Sequence, residues 1–179
     1  MQREALLEAA RTLLSEGGTE ALTFAALAER TGLARSSVYE YFRSRAAVVE
    51  ELCAVDFPLW AAEVEAAMER ADTPEAKIEA YVRRQLALVG DRRHRAVVAI
   101  SAGELDAGAR EKIRAAHGGL IIMVVDALGA LGHDEPRLTA TLLQGVVDAA
   151  VRRIELGAAE DPERITRAAV SMVLHGVGG

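Results

Sequence analysis

Between Arg30 and Arg45 four arginines stand against a single acid, Glu40, in a chain whose net charge is −6. Within that stretch Arg35, Ser36, Ser37, Tyr39 and Tyr41 fall on the outer side of a short helical pattern, while Val38 and Phe42 fall on the inner side. Guanidinium, hydroxyl and phenol groups are hydrogen-bond donors, and donors gathered on one face suit phosphate oxygens and base edges. The residues that could support catalysis are not gathered in this way. The four histidines, at 94, 117, 133 and 175, form no His-x-x-x-His or Glu-x-x-His pair for a metal, and neither Cys53 nor the serines sit in a nucleophile motif. No phosphate loop is present, so we expect no cofactor, no metal and no enzyme activity.

Presenting such a face requires two short helices crossed through a tight turn. The stretch Thr23 to Arg45, TFAALAERTGLARSSVYEYFRSR, has the parts. Thr23 can cap a helix that ends near Thr31, because its hydroxyl accepts a first-turn N–H. Ala28 is small where two backbones approach, Gly32 can take positive φ in the turn, and Leu27, Leu33, Val38 and Phe42 point back to a core. The second short helix runs from about Arg35 to Phe42, and Ser44 is placed to cap the next one from Arg45. Ahead of them, Leu6, Leu7, Ala10, Leu13 and Leu14 share one face of a helix from Gln2 to about Glu16, stopped by Gly17-Gly18.

This stretch resembles the DNA-binding signature of the tetracycline-repressor (TetR) family, with its Thr-initiated helix, glycine turn and Tyr-x-Tyr-Phe ending. The likeness covers about a quarter of the chain. It implies an all-α fold with a three-helix DNA-binding domain over 1–44 and a ligand-binding and dimerisation bundle over 45–179, about nine helices in all. It assigns Arg35, Ser36 and Ser37 to the major groove, and Thr23, Tyr39, Tyr41 and Arg45 to the phosphate backbone. The sequence departs from the family pattern at Ala34, where a Ser cap is usual, and at Glu40, which can face DNA. No basic arm precedes the first helix. The function implied is a transcriptional regulator, expected to be a repressor that a small hydrophobic ligand releases from a pseudo-palindromic operator. The rival reading is a helical-bundle carrier or enzyme that binds no DNA.

Beyond Ser44 the helices lengthen. One is expected from Arg45 to about Ala71, kinked or split at Pro58, whose ring removes a backbone donor. Others open at Thr73-Pro74, Arg92, Asp106, Asp134-Glu135-Pro136 and Asp161-Pro162, where acidic or hydroxyl caps meet a first-turn proline in three cases. Apolar residues make up 51% of the chain and aromatics 4%, a composition for close-packed helices. Candidate ligand contacts are Phe57, Trp60, Val64, Leu88, Ile121 and Val124, with His117, Gln144 and Asp148 as the polar members, since small-molecule sites are mostly apolar with a few polar groups. The resemblance implies a homodimer through the last two helices, for which Leu138, Leu142, Val146, Ala149, Ile165, Ala169 and Met172 are the candidate interface. The N-terminus has no secretory pattern and the longest apolar run is far below the ~20 residues of a membrane span. One cysteine fits a reducing compartment, so we expect a cytoplasmic protein with no membrane partner.

Overall fold

The computed structural model describes residues 1–157 and 161–176, the side chains of 109, 110 and 112–117 excepted. Among the described residues there are nine α-helices and one 3₁₀ turn, with no strand. They divide into two compact units, one of Met1–Pro58 with Asp91–Arg114, the other of Leu59–Gly90 with Ala115–Gly179.

In the first unit α1 (Gln2–Gly17) buries Leu6, Leu7, Ala10 and Leu14, the spacing of one helical face, and gives way at Gly18, whose φ is 70°. The 3₁₀ turn Thr19–Ala21 leads to α2 (Phe24–Thr31) and α3 (Arg35–Tyr41). Gly32, at φ 67°, ends α2 in the left-handed region, with the Leu33 N–H returned to the Ala28 carbonyl at 3.0 Å and the Gly32 N–H to Glu29 at 3.4 Å. This closing motif turns the chain without leaving carbonyls unpaired. Phe42 and Val38 are buried as expected, Leu33 only half so.

The unit also contains α6 (Arg92–Glu104), which packs on α1. Asp91 caps α6 by accepting from the Arg93 and His94 N–H groups, a cap that the sequence reading missed. The Arg92 guanidinium donates to the Ser15 carbonyl at 3.0 Å and Arg93 pairs with Glu8 at 2.8 Å. Helix α1 thus packs with α6, and the compact unit that holds the three N-terminal helices also takes in residues 45–58 and Asp91–Arg114. Across its interior Arg11 of α1 grips Asp56, on the helix that follows α3, through both Nη2, at 2.7 Å, and Nε, at 3.1 Å. Asp56 is 5% exposed, and the pairing raises the Arg11 pKa above its usual value, the Asp56 hydrogen bond outweighing the cost of burial.

Helix α4 (Arg45–Glu69) continues through Pro58, so the expected split does not occur. The proline lies at the division between the units. Its missing N–H removes one bond from a helix of 25 residues, and the remaining ladder is sufficient to carry the helix on.

The second unit holds α5 (Pro74–Gly90), the later part of α7 (Ala107–Ala130), α8 (Pro136–Glu155) and α9 (Pro162–His175). Here α5 packs on α8 and α9, and α8 on α9. Val64, Met68, Ile78, Tyr81, Val82, Leu86, Val124, Leu143, Val147 and Val170 belong to one buried cluster. Thr73 and Asp161 cap α5 and α9, accepting from the Ala76 and Glu163 N–H groups at 3.2 and 3.1 Å.

Candidate functional site

The face read from sequence exists on α3. Arg35, Ser36 and Tyr39 are exposed and Ser37 is half-buried, while Val38 on the opposite side has no exposed surface. What holds this short helix is its neighbour. The Thr23 hydroxyl accepts the Ala26 N–H at 3.1 Å and fixes the start of α2. Phe24, at that start, meets the Tyr39 ring with centroids 4.6 Å apart. Tyr39 therefore both packs and projects: its ring buttresses α3 against α2, yet half of its surface remains open. Glu40 is exposed on the same short helix and places one negative charge among the donors.

Other predicted phosphate contacts have partners inside the chain. The Tyr41 hydroxyl donates to Gln2 Oε1, which joins the end of α3 to the start of α1. Arg45 lies at the first position of α4, whose N-terminus is closed by Ser44 Oγ accepting the Ala47 N–H at 3.1 Å. Its Nη2 donates to the Thr19 carbonyl at 2.5 Å and its Nη1 lies 3.6 Å from Glu104 Oε1. Arg43, two residues earlier and not singled out from sequence, is exposed. A cavity of about 620 Å³ opens beside it, with Arg3, Tyr41, Arg43, Glu50 and Cys53 among its lining. Burial first, and the Asp56 charge second, push the Cys53 thiol up to about 12, so it is a protonated wall rather than a nucleophile.

The candidate ligand residues divide between the units. Phe57 falls in the first, buried. In the second, Val64, Leu88 and Val124 belong to the buried cluster and Trp60 and Ile121 pack at its edge. The His117 side chain lies outside the described residues. Gln144 is half-buried and Asp148 exposed, and they form a chain: the Tyr81 hydroxyl donates to Gln144 Oε1 at 2.5 Å, and Gln144 Nε2 donates to Asp148 Oδ1 at 2.8 Å. Tyr81, 1% exposed, was not expected from sequence; a lone tyrosine in an apolar helix reads as filler. Burial pushes its hydroxyl up to about 12, opposed by a hydrogen bond with Gln85 and helped by the Asp148 charge.

The candidate interface residues are placed unevenly. Leu138, Leu142, Ala149 and Met172 are exposed, whereas Val146 and Ile165 pack against the buried cluster of their own chain. Ala169, at 6% exposure, belongs to that cluster together with Val170.

Residues 6–52 match the family model described as bacterial regulatory proteins, tetR family. No curated protein matches the sequence. Among solved structures the chain is similar to the fatty acid degradation regulator FadR from Bacillus halodurans, at 18% identity and a TM-score of 0.76 over 98% of this chain and 96% of that one. It is similar also to the transcriptional regulator FadR from Bacillus subtilis in complex with stearoyl-CoA, at 17% identity and TM-score 0.75 over 97% and 98%. A third is AibR in complex with isovaleryl coenzyme A and operator DNA, at 17% and 0.74 over 96% and 97%. At these identities the likeness is one of fold.

Proposed function

We propose that this chain, whose N-terminal domain is that of the tetR family of bacterial regulatory proteins, is a dimeric repressor that leaves its operator when an apolar ligand binds. It is a DNA-binding transcriptional regulator rather than an enzyme. The observation that carries the reading is the exposed face Arg35, Ser36 and Tyr39 on a seven-residue helix, held by a capped neighbour and a buried Val38. Residues 1–44 read the duplex. Arg35, Ser36 and Ser37 meet base edges in the major groove, while Thr23, Tyr39, Tyr41, Arg45 and the N-terminus of α4 lie toward phosphates, where first-turn N–H groups favour an anion.

Residues 45–179 bind the ligand and the second copy. Trp60, Val64, Leu88, Ile121 and Val124 supply apolar contact, and Tyr81, Gln144, Asp148 and His117 supply the polar groups. Two similar structures hold acyl coenzyme A compounds, so acyl thioesters are the first ligands to test. Helix α4 connects the two activities, since it starts at Arg45 and ends at Glu69. A ligand shifts the equilibrium only by its differential affinity for the two states. Fluorescence anisotropy of a promoter duplex, titrated with protein and then with acyl thioesters of increasing chain length, tests the reading. Release at concentrations that also change Trp60 emission supports it. A folded protein with no duplex affinity at low salt would leave the carrier or enzyme reading in its place. The described residues include no helix long and apolar enough to cross a membrane.

A further inference from the structure

Arg45 has unusual surroundings for a residue expected to meet DNA. A guanidinium offers five N–H donors. Here one end donates to the Thr19 carbonyl at 2.5 Å, and the Nε, although buried, has no partner. The other end faces Glu104 at 3.6 Å, too long for a hydrogen bond and therefore a charge contact only. Both side chains stay about one-third open, at 34% and 29% exposure, so an anion from solution can reach the pair. Glu104 is also the last residue of α6. The negative end of a helix disfavours a carboxylate, so α6 gains nothing from an acid there and Arg45 is what offsets it. An under-satisfied cation at the N-terminus of α4 is thus held by an acid that its own helix does not favour.

We infer that Glu104 is an intramolecular latch on Arg45, occupying the place of a DNA phosphate, and that duplex binding exchanges this carboxylate for a phosphate oxygen. The inference rests on the DNA-binding reading above and assigns Glu104 a regulatory role in it. The Thr19 bond stays in place during the exchange and keeps the guanidinium aimed.

The test compares the full chain with Glu104→Gln on a fluorescein-labelled mixed-sequence duplex, which suffices because phosphate contacts are independent of sequence. Glu104→Gln should bind about three- to tenfold more tightly at low salt, the scale of a partly exposed ion pair, with a salt slope steeper by up to about one. In an Arg45→Gln background the same change should have no effect. An equal gain in that background would mean that Glu104 repels DNA directly, and the latch is then wrong. Unchanged or weaker binding by Glu104→Gln overturns it as well, leaving Arg45 as a structural tie. Should Arg45→Gln not fold, the wild-type side-chain spectrum serves: the Arg45 Nε–H resonance must shift on duplex addition, and a resonance that stays put refutes the exchange. If the folded wild-type protein binds no duplex, the functional reading itself fails and takes the latch with it; if it binds and Glu104→Gln binds no better, only the latch fails.

Discussion

Two kinds of arginine occur in the first unit, and their surroundings predict opposite results. Arg11 closes on Asp56, which is 5% exposed, while its Nη1 meets Glu4 at 2.9 Å and Glu8 at 3.3 Å nearer the surface, so removing the Asp56 carboxylate strips a largely buried guanidinium of its inward partner. Asp56→Ala should cost about 3 kcal/mol in urea unfolding, whereas Arg3→Ala, whose guanidinium pairs with Glu51 in solvent, should cost far less. Equal losses would mean that the Arg11 pair contributes no more than a surface one. Arg35 has no such inward role. Its substitution by Ala should leave stability within about 0.5 kcal/mol yet alter preference at one base step by about 1–3 kcal/mol in a competition assay over duplex variants. Arg45→Ala, by contrast, should weaken all duplexes alike and lower the salt slope by about one. A sequence-dependent effect of Arg45→Ala would place its side chain at bases instead of phosphates.

At the scale of the element, the turn between α2 and α3 depends on one backbone angle. Gly32 sits at φ 67° with open space where a Cβ would go, so any penalty for a side chain there comes from the backbone alone. Gly32→Ala should lower stability by about 1–2 kcal/mol and reduce duplex affinity with it, since α3 is held by this turn and by the Phe24–Tyr39 contact. A Gly32→Ala protein of unchanged melting temperature would show that the turn relaxes freely. This turn was legible in the sequence, as were the caps at Thr23, Ser44, Thr73 and Asp161, because each acts within a few residues and spacing alone sets its geometry. The contacts that span longer intervals were not legible. Arg11 meets Asp56, Arg92 meets Ser15, and Arg45 meets Glu104, pairs separated by 45, 77 and 59 positions that no local pattern encodes. Tyr81 escaped notice for the same reason, its partner Gln144 lying 63 residues on. At Pro58 a local rule offered a kink or a split, and the long helix around it absorbed the lost bond without splitting.

On the proposed reading two recognition helices must meet one operator, and the exposed apolar residues of α8 and α9 give the means. Leu138, Leu142 and Met172 are 51%, 65% and 48% exposed, which is large for side chains of that type in a chain with so few aromatics. A second copy seated there would bury them and, by two-fold symmetry, set two α3 helices in successive major grooves about 34 to 36 Å apart. Leu142→Asp with Met172→Asp should then sediment as a monomer, lose the preference for a paired half-site, and keep the weak, salt-sensitive binding of a single head. Gly145 sharpens the test. A Cβ at that position meets nothing within 4 Å in the single chain, and alanine is the better helix former by about 1 kcal/mol. Within one copy Gly145→Ala should therefore be stabilising. Against a partner lying close to the same face, a larger side chain has no room, so Gly145→Leu should raise the dimer dissociation constant while leaving the unfolding of the monomer little changed. Sedimentation equilibrium over a range of concentrations separates the two effects. If wild type is monomeric at micromolar concentration, or if Gly145→Leu dimerises as well as wild type, the two copies do not meet through this face, and the spacing of the recognition helices must be set by other means.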